Sequence, residues 1–290
     1  MIQIPGHSNF TVKLEFIQNK YVISKTAKKK DSLRLHRQME KQEYMYNNNF
    51  LINCKIPKIL NVKENNDETI YYMDYIYNSN NVINFLYSEN SLKLIWLKKN
   101  ILNIIYSYIS KCKLQKINNK ILYNKINSVK QNIMNNKYSN LFKKKINYYL
   151  NYLLKNTNNI SNIEIPIGIS HGDLTLSNML INNSFMEIYL IDFLDSFIES
   201  PILDIIKIRQ DTFFYWTLRL CNFKYDINKI KLSLNKLDNM IDNEFKKYNW
   251  YNLTYNYFQI LNLLRIVQYS KNKQTVIYII NSLDKINIFH

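Results

Sequence analysis

The apolar pattern of this chain changes period once, near residue 80. That change limits the fold to a strand-rich N-terminal part followed by a helical remainder. Phe10-Thr11-Val12-Lys13-Leu14-Glu15-Phe16-Ile17 alternates apolar and polar side chains, the pattern of a half-buried strand. Gln18-Asn19-Lys20 reads as a turn and Tyr21–Lys25 as the second strand of a hairpin. Asp31 or Ser32 caps a helix that runs through Leu33, Leu35, Met39 and Tyr46. Ile59–Val62 and Thr69–Met73 read as two further strands around the polar turn Lys63–Glu68. From residue 80 on, helical stretches take over at Val82–Leu86, Leu92–Cys112, Ile117–Leu154, 202–220 and 227–287, with Asn-rich interruptions at 118–119, 135–136 and 156–162 that mark loops or caps. One β hairpin interrupts them, Met179-Leu180-Ile181 against Ile188–Ile191 around Asn182-Asn183-Ser184. The class is α+β, with a small β-rich lobe over 1–75 and a helical lobe over 76–290.

The 290 residues, 47% of them hydrophobic, suffice for one or two cores. No stretch of about 18 apolar residues is free of charge, so no membrane insertion is expected. Met1–Gly6 lacks the basic and apolar regions of a signal peptide. Cys54, Cys112 and Cys221 are odd in number and far apart, which favours reduced thiols in a cytoplasmic protein. The net charge of +17 raises a nucleic-acid partner. Lysine enriches the whole chain, however, and Lys28–Lys30 and Lys143–Lys145 read as solvated surface. Nucleic acid is therefore not the expected partner. Arginine is scarce: Arg34, Arg37, Arg209, Arg219 and Arg265 are all there are. Where lysine is the default cation, these positions are candidates for bidentate anion binding.

The densest chemistry lies in His171-Gly172-Asp173-Leu174-Thr175-Leu176-Ser177-Asn178. Asp173 precedes Asn178 by five residues, and Asp192 ends the apolar run Tyr189-Leu190-Ile191. Phosphoryl transfer from a nucleoside triphosphate needs this set: one carboxylate to take or orient the proton of the attacking hydroxyl, then an amide oxygen and a second carboxylate for Mg²⁺. The spacing from His171 to Asn178 matches the protein-kinase loop H-R-D-x-x-x-x-N, with Gly172 in the place of Arg.

The His-Gly-Asp form resembles the aminoglycoside phosphotransferase and choline kinase family. The resemblance is sharpest over residues 168–204, weaker over the first 80, and fades across 80–160 and beyond about 212. It implies a two-lobed, protein-kinase-like fold with a catalytic β segment at 169–193, ATP as co-substrate, Mg²⁺, and a small-molecule hydroxyl as acceptor. On this resemblance Asp173 is the catalytic group, and Asn178 and Asp192 hold the metal. His171 and Gly172 support the loop. Asp204 braces it or caps the helix after Pro201. Asp195 stands near the metal. Gly6–Phe10 takes the place of the nucleotide loop, with Ser8 and Asn9 over the phosphates. Lys25 contacts the α- and β-phosphates as the lysine of V-A-I-K does. Its carboxylate partner is Glu40 or Glu43. Met73 and Tyr75 lie at the hinge beside the adenine.

The acceptor is less constrained. Arg209, Arg219 and Arg265 are candidate acceptor-binding residues for a phosphate- or carboxylate-bearing molecule. A sugar or an amino-alcohol such as choline leads the alternatives; the strongly basic chain argues against a polycationic aminoglycoside. A protein kinase would carry an A-P-E segment after the metal Asp, and Ile198-Glu199-Ser200-Pro201 arrives too soon for one. A silent kinase-like scaffold that binds nucleic acid is the reading from a different class. ATP against GTP, and the oligomeric state, stay open at this level.

Overall fold

The computed structural model describes residues 2–4, 10–88, 91–220 and 226–286. Ser8, Asn9 and Cys221 therefore lie outside the described residues. The chain divides into two compact units: residues 1–107 with 171–195, and residues 108–170 with 196–290. The expected boundary at 75 thus falls inside the first unit.

The first unit opens with β1 (Ile2–Ile4), β2 (Thr11–Ile17), β3 (Lys20–Lys28), α1 (Ser32–Asn48), β4 (Cys54–Lys55), β5 (Ile59–Glu64) and β6 (Glu68–Asp74). Five of these strands form a sheet in the order β1-β2-β3-β6-β5, with every neighbouring pair antiparallel. Gln18 and Asn19 both adopt positive φ, 49° and 61°, the two-residue turn that matches strand twist. The core side of this sheet gathers Phe10, Ile23, Ala27, Tyr71 and Met73 against Leu35 of α1. The alternation in β2 and β6 follows from that one-sided burial.

The same unit then adds β7 (Ser79–Asn81), α2 (Val82–Ser88) and most of α3 (Ser91–Ile109). The separate segment 171–195 completes it. Its β10 (Met179–Asn182) and β11 (Glu187–Leu190) form a second sheet in the order β4-β11-β10-β7. β10 pairs antiparallel with β11 and β7, and β11 pairs parallel with β4. This sheet explains why no cut at residue 75 isolates the first unit: its strands come from both sides of that position.

The second unit holds β8 (Lys113–Lys116), α4 (Asn119–Met134), α5 (Lys143–Ser161), β9 (Glu164–Ile167), α6 (Pro201–Thr212), α7 (Trp216–Leu220), α8 (Ile227–Phe245), α9 (Asn249–Val267) and α10 (Lys273–Leu283). α9 is its centre. Tyr257, Phe258, Ile260, Leu261, Leu263 and Leu264 are all buried, so the helix is enclosed on every side. Glu199 fastens the two ends between which residues 171–195 are inserted. Its carboxylate accepts from Ser170 Oγ (2.6 Å) and Ser196 N (2.9 Å), and its carbonyl from Gly168 N (2.9 Å). Among the described residues no helix is long and apolar enough to cross a membrane.

Candidate active site

Asp173, Asn178, Asp192 and Lys25 all belong to the first unit. Gly172 sets the turn that delivers Asp173. Its φ is 87°, where any Cβ is strained, so only glycine fits without cost. Asn178 closes the loop. Its Nδ2 donates to the Asp173 carbonyl (2.8 Å) and to Asp173 Oδ2 (3.2 Å). Its backbone carbonyl accepts from Ile191 N (3.1 Å), which ties the loop to the strand leading into Asp192. With its nitrogen spent on Asp173, Asn178 has its side-chain oxygen left as the group for a cation.

His171 is fully buried beneath this loop. Its Nδ1 accepts from Asp173 N (3.2 Å), its carbonyl accepts from Leu194 N (3.0 Å), and its ring lies 4.3 Å from that of Phe193. Burial depresses its pKa from 6.5 to about 4, against the pull of Asp173. The imidazole is neutral at pH 7, and its contacts orient the loop. A depressed histidine contributes stability that is full above its unfolded pKa of 6.5 and disappears as pH falls toward 4. That interval is worth about 3 kcal/mol. Urea unfolding at pH 7.5 and pH 4.5 should reveal the loss, and His171→Asn should flatten it. An equal slope in the variant would remove His171 as the cause.

Lys25 is 2% exposed in the middle of β3. It faces Tyr71 directly across the ladder to β6. Its Nζ donates to Asp192 Oδ1 (2.7 Å) and to Gln38 Oε1 (2.8 Å). Burial is the largest influence and lowers its pKa, but the attraction and hydrogen bond of Asp192 together with Tyr71 leave it raised. Asp192 itself has a φ of 62°, a conformation that non-glycine residues seldom adopt and that gathers at functional positions.

The partner of Lys25 on α1 corrects the sequence reading. It is Gln38; Glu40 and Glu43 are exposed. Helical phase is the reason. At 100° per residue, Glu40 lies about 200° and Glu43 about 140° around the helix from Gln38. Leu35, Gln38, Gln42 and Met45 make the buried stripe. Two polar residues inside that stripe were the legible signal. Gln38→Leu removes an acceptor from a buried ammonium and should cost about 1.5–3 kcal/mol in urea unfolding. Gln38→Glu keeps the acceptor and should lose less; equal losses would show that the hydrogen bond is immaterial.

Three further α1 residues reach this region. Arg34 Cζ stands 5.4 Å from the Phe10 ring, which also has Lys25 Nζ at 5.1 Å. Arg37 pairs with Asp195 at 3.8 Å, and Lys41 Nζ donates to the Leu194 carbonyl at 2.7 Å. The scarcity of arginine was the signal for Arg34 and Arg37. Met73 is buried in β6, and its sulfur accepts weakly from Gln42 (3.5 Å). Tyr75 packs on the sheet's core, its ring 4.9 Å from that of Tyr77.

Asn178 and Asp192 supply hard oxygen donors, as Mg²⁺ prefers. Among the described residues no group of three or more His, Cys, Asp or Glu side chains forms a metal site.

The remaining predicted residues belong to the second unit. Asp204 is fully buried in the first turn of α6, where a carboxylate complements the helix dipole. Arg209, expected at the acceptor, is instead committed internally. Its Nε and Nη2 donate to the two oxygens of Asp238 (3.0 and 2.8 Å), and its Nη1 to Asp242 (2.5 Å) and Tyr251 Oη (2.6 Å). Burying it beside water-excluded carboxylates required this full set of partners. Arg219 donates to Thr275 Oγ1 (3.1 Å) and lies over the rings of Tyr278 and Trp216. Arg265 lies over Phe197.

Residues 86–209 match the sequence model of the ecdysteroid kinase-like family. No curated protein sequence matches the chain. Among solved structures, the apo form of a thermostable mutant of aminoglycoside phosphotransferase APH(4)-Ia is similar over 98% of this chain and 92% of its own, with a TM-score of 0.67 and 10% identity. Spectinomycin phosphotransferase APH(9)-Ia, solved with ADP and spectinomycin, covers 99% of this chain and 88% of its own, with a TM-score of 0.56 and 12% identity. Glucosamine kinase covers 91% of this chain and 74% of its own, with a TM-score of 0.55 and 8% identity. The chain has the protein-kinase-like α+β fold of these small-molecule kinases.

Proposed function

We propose that this chain, built on that fold, is a phosphotransferase that moves the γ-phosphate of ATP to a hydroxyl of a small metabolite. One observation carries the reading. Asp173, Asn178, Asp192 and Lys25 gather in one unit, although Lys25 and Asp192 are 167 residues apart in sequence. The roles follow from their chemistry. The acceptor oxygen forms a bond to the γ-phosphorus while the bond to the β,γ-bridging oxygen breaks, and ADP leaves with that electron pair. The hydroxyl proton passes to Asp173, which Asn178 and His171 hold in place. Lys25 contacts the α- and β-phosphates, oriented by Gln38. Asn178 and Asp192 hold Mg²⁺, which when bound neutralises charge on the phosphate oxygens. Positioning and fixed charge carry the rate, with no covalent intermediate.

Solved relatives of this fold include complexes named with ADP or AMP-PNP, which supports ATP as the donor. The leading acceptors are a sugar or an amino-alcohol such as choline. The test is Mg²⁺-dependent ADP release from ATP across sugars, amino-alcohols, hydroxy acids and aminoglycosides. Acceptor-stimulated release names the substrate class. Tight Mg²⁺·ATP binding with no stimulation by any compound would point to a macromolecular acceptor. No nucleotide binding at all would overturn the assignment.

A further inference from the structure

The positive charge of this chain is not spread evenly. Residues 90–163 hold 14 of the lysines and no Asp or Glu, so this stretch alone accounts for +14 of the net +17. Lysine is common throughout; the absence of carboxylates is what sets this stretch apart. Its part in the second unit builds β8, α4 and α5.

At one end of that unit the α4–α5 connection and the α9–α10 connection are clamped together. Asn136 Nδ2 donates to the carbonyls of Ser270 (2.9 Å) and Val267 (3.2 Å), and Asn132 Nδ2 donates to Gln268 Oε1 (3.0 Å). Asn136 Oδ1 accepts from Tyr138 N (2.9 Å), and Ser139 Oγ donates to the Ile133 carbonyl (2.6 Å), so the first connection is also held from within. From this end three large apolar side chains stand in water: Met134 (53% exposed), Leu141 (65%) and Tyr269 (74%). Each is followed within four residues by exposed lysine: Lys137 after Met134, Lys143 and Lys144 after Leu141, Lys271 and Lys273 after Tyr269. Among the described residues none of these five lysines has an ion-pair partner, whereas the neighbouring Lys145 pairs with Asp284.

Apolar tips flanked by unpaired ammonium groups match one kind of surface. The interface of an anionic bilayer offers phosphate and carboxylate groups to the lysines and, just beneath them, an apolar layer to the tips. A nucleic acid offers the charge without that layer, and its recognition favours guanidinium groups. Residues 90–163 contain no arginine.

We propose that this end of the second unit docks on the surface of a membrane rich in anionic phospholipid. Met134, Leu141 and Tyr269 enter the headgroup region, and the five lysines lie against the lipid phosphates. The docking is peripheral, since no described helix is long and apolar enough to cross a membrane. It does not rest on the phosphotransferase reading.

The test is cosedimentation of the full chain with vesicles of phosphatidylcholine alone, and of phosphatidylcholine mixed equally with phosphatidylserine. Expected are binding to the mixed vesicles, little binding to phosphatidylcholine, and weakening as salt rises. Lys143→Gln with Lys144→Gln should weaken that binding by about tenfold or more, at about fivefold per lysine near an anionic surface. Leu141→Ser with Tyr269→Ser should weaken it by about tenfold or more as well. All four side chains are exposed, so the fold should be spared. Lys231→Gln with Lys236→Gln removes the same charge from α8 and should leave binding near wild type. In Leu141→Trp, lipids brominated in their acyl chains should quench fluorescence beyond the wild-type level. Equal binding to both vesicle types, wild-type binding by either of the first two double variants, an equal loss in the α8 variant, or no added quenching would overturn the proposal. So would tighter binding of a single-stranded RNA oligonucleotide than of the mixed vesicles at the same salt, which would assign the charge to nucleic acid. Failure of the kinase reading would appear instead as no ADP release, with vesicle binding intact.

Discussion

Asp173→Ala will lower acceptor-stimulated ADP release by about 10²–10⁴-fold while leaving Mg²⁺·ATP affinity near wild type. The expectation follows from how the loop is built. The Asp173 carboxylate is partly exposed and accepts a 3.2 Å bond from Asn178 Nδ2. The loop is held mainly through backbone groups: Asp173 N to His171 Nδ1, and the Asp173 carbonyl from Asn178 Nδ2 and Thr175 N. Removing the carboxylate spares all three. Stability should therefore change little, and the loss should fall on turnover. Asp173→Asn sharpens the test, because it keeps shape and hydrogen bonding but cannot take a proton. Near wild-type turnover in either variant would remove Asp173 from the chemistry.

Asp192→Ala should act in the opposite way, on binding and on stability together. Lys25 is buried, and Asp192 is the carboxylate that keeps it charged at little cost. Breaking a fully enclosed pair costs about 3–5 kcal/mol. The Asp192 side chain is 42% exposed, so water re-enters and about 1–3 kcal/mol is the better expectation. The pair also predicts non-additivity. In a Lys25→Met background, Asp192→Ala should be nearly neutral for stability, because no buried ammonium is left stranded. Mg²⁺·ATP affinity should collapse in both backgrounds. Full additivity in urea unfolding would mean that the 2.7 Å contact contributes nothing; unchanged Mg²⁺·ATP affinity would remove Asp192 from the metal.

Much of this was legible in the chain, and what was not has physical reasons. β2 and β6 were readable from their alternating side chains, which in β6 follows its alternating burial, and β3 from its apolar run after the Gln18-Asn19 turn. Lys25 and the Asp173–Asn178–Asp192 spacing stood out because the proposed phosphoryl transfer would constrain residue type and distance together. β8 was hidden because all four of its residues, Lys113–Lys116, are exposed and show no apolar period. β4, only two residues long, leaves no pattern. The Asn-rich interruption at 135–136 was legible as well: α4 ends at Met134 with Asn135 as its cap, and α5 begins at Lys143. Gln38 was missed because the search was for a carboxylate, and helical phase had to decide between it and its neighbours. The role of Arg209 turned on carboxylates 29 and 33 residues away, beyond any local pattern.

The discontinuous make-up of the first unit has a consequence for synthesis on the ribosome. β4 and β7 find their sheet partners only in β11 and β10, and Lys25 must wait 167 residues for Asp192. At about 5–20 residues per second, that delay is about 8–33 s. During it, the nascent chain carries open strand edges and a lysine destined for burial with no counter-charge. Nascent-chain force profiling or timed proteolysis should find the N-terminal segment unprotected until residues 171–195 have left the exit tunnel, and then protected in one step.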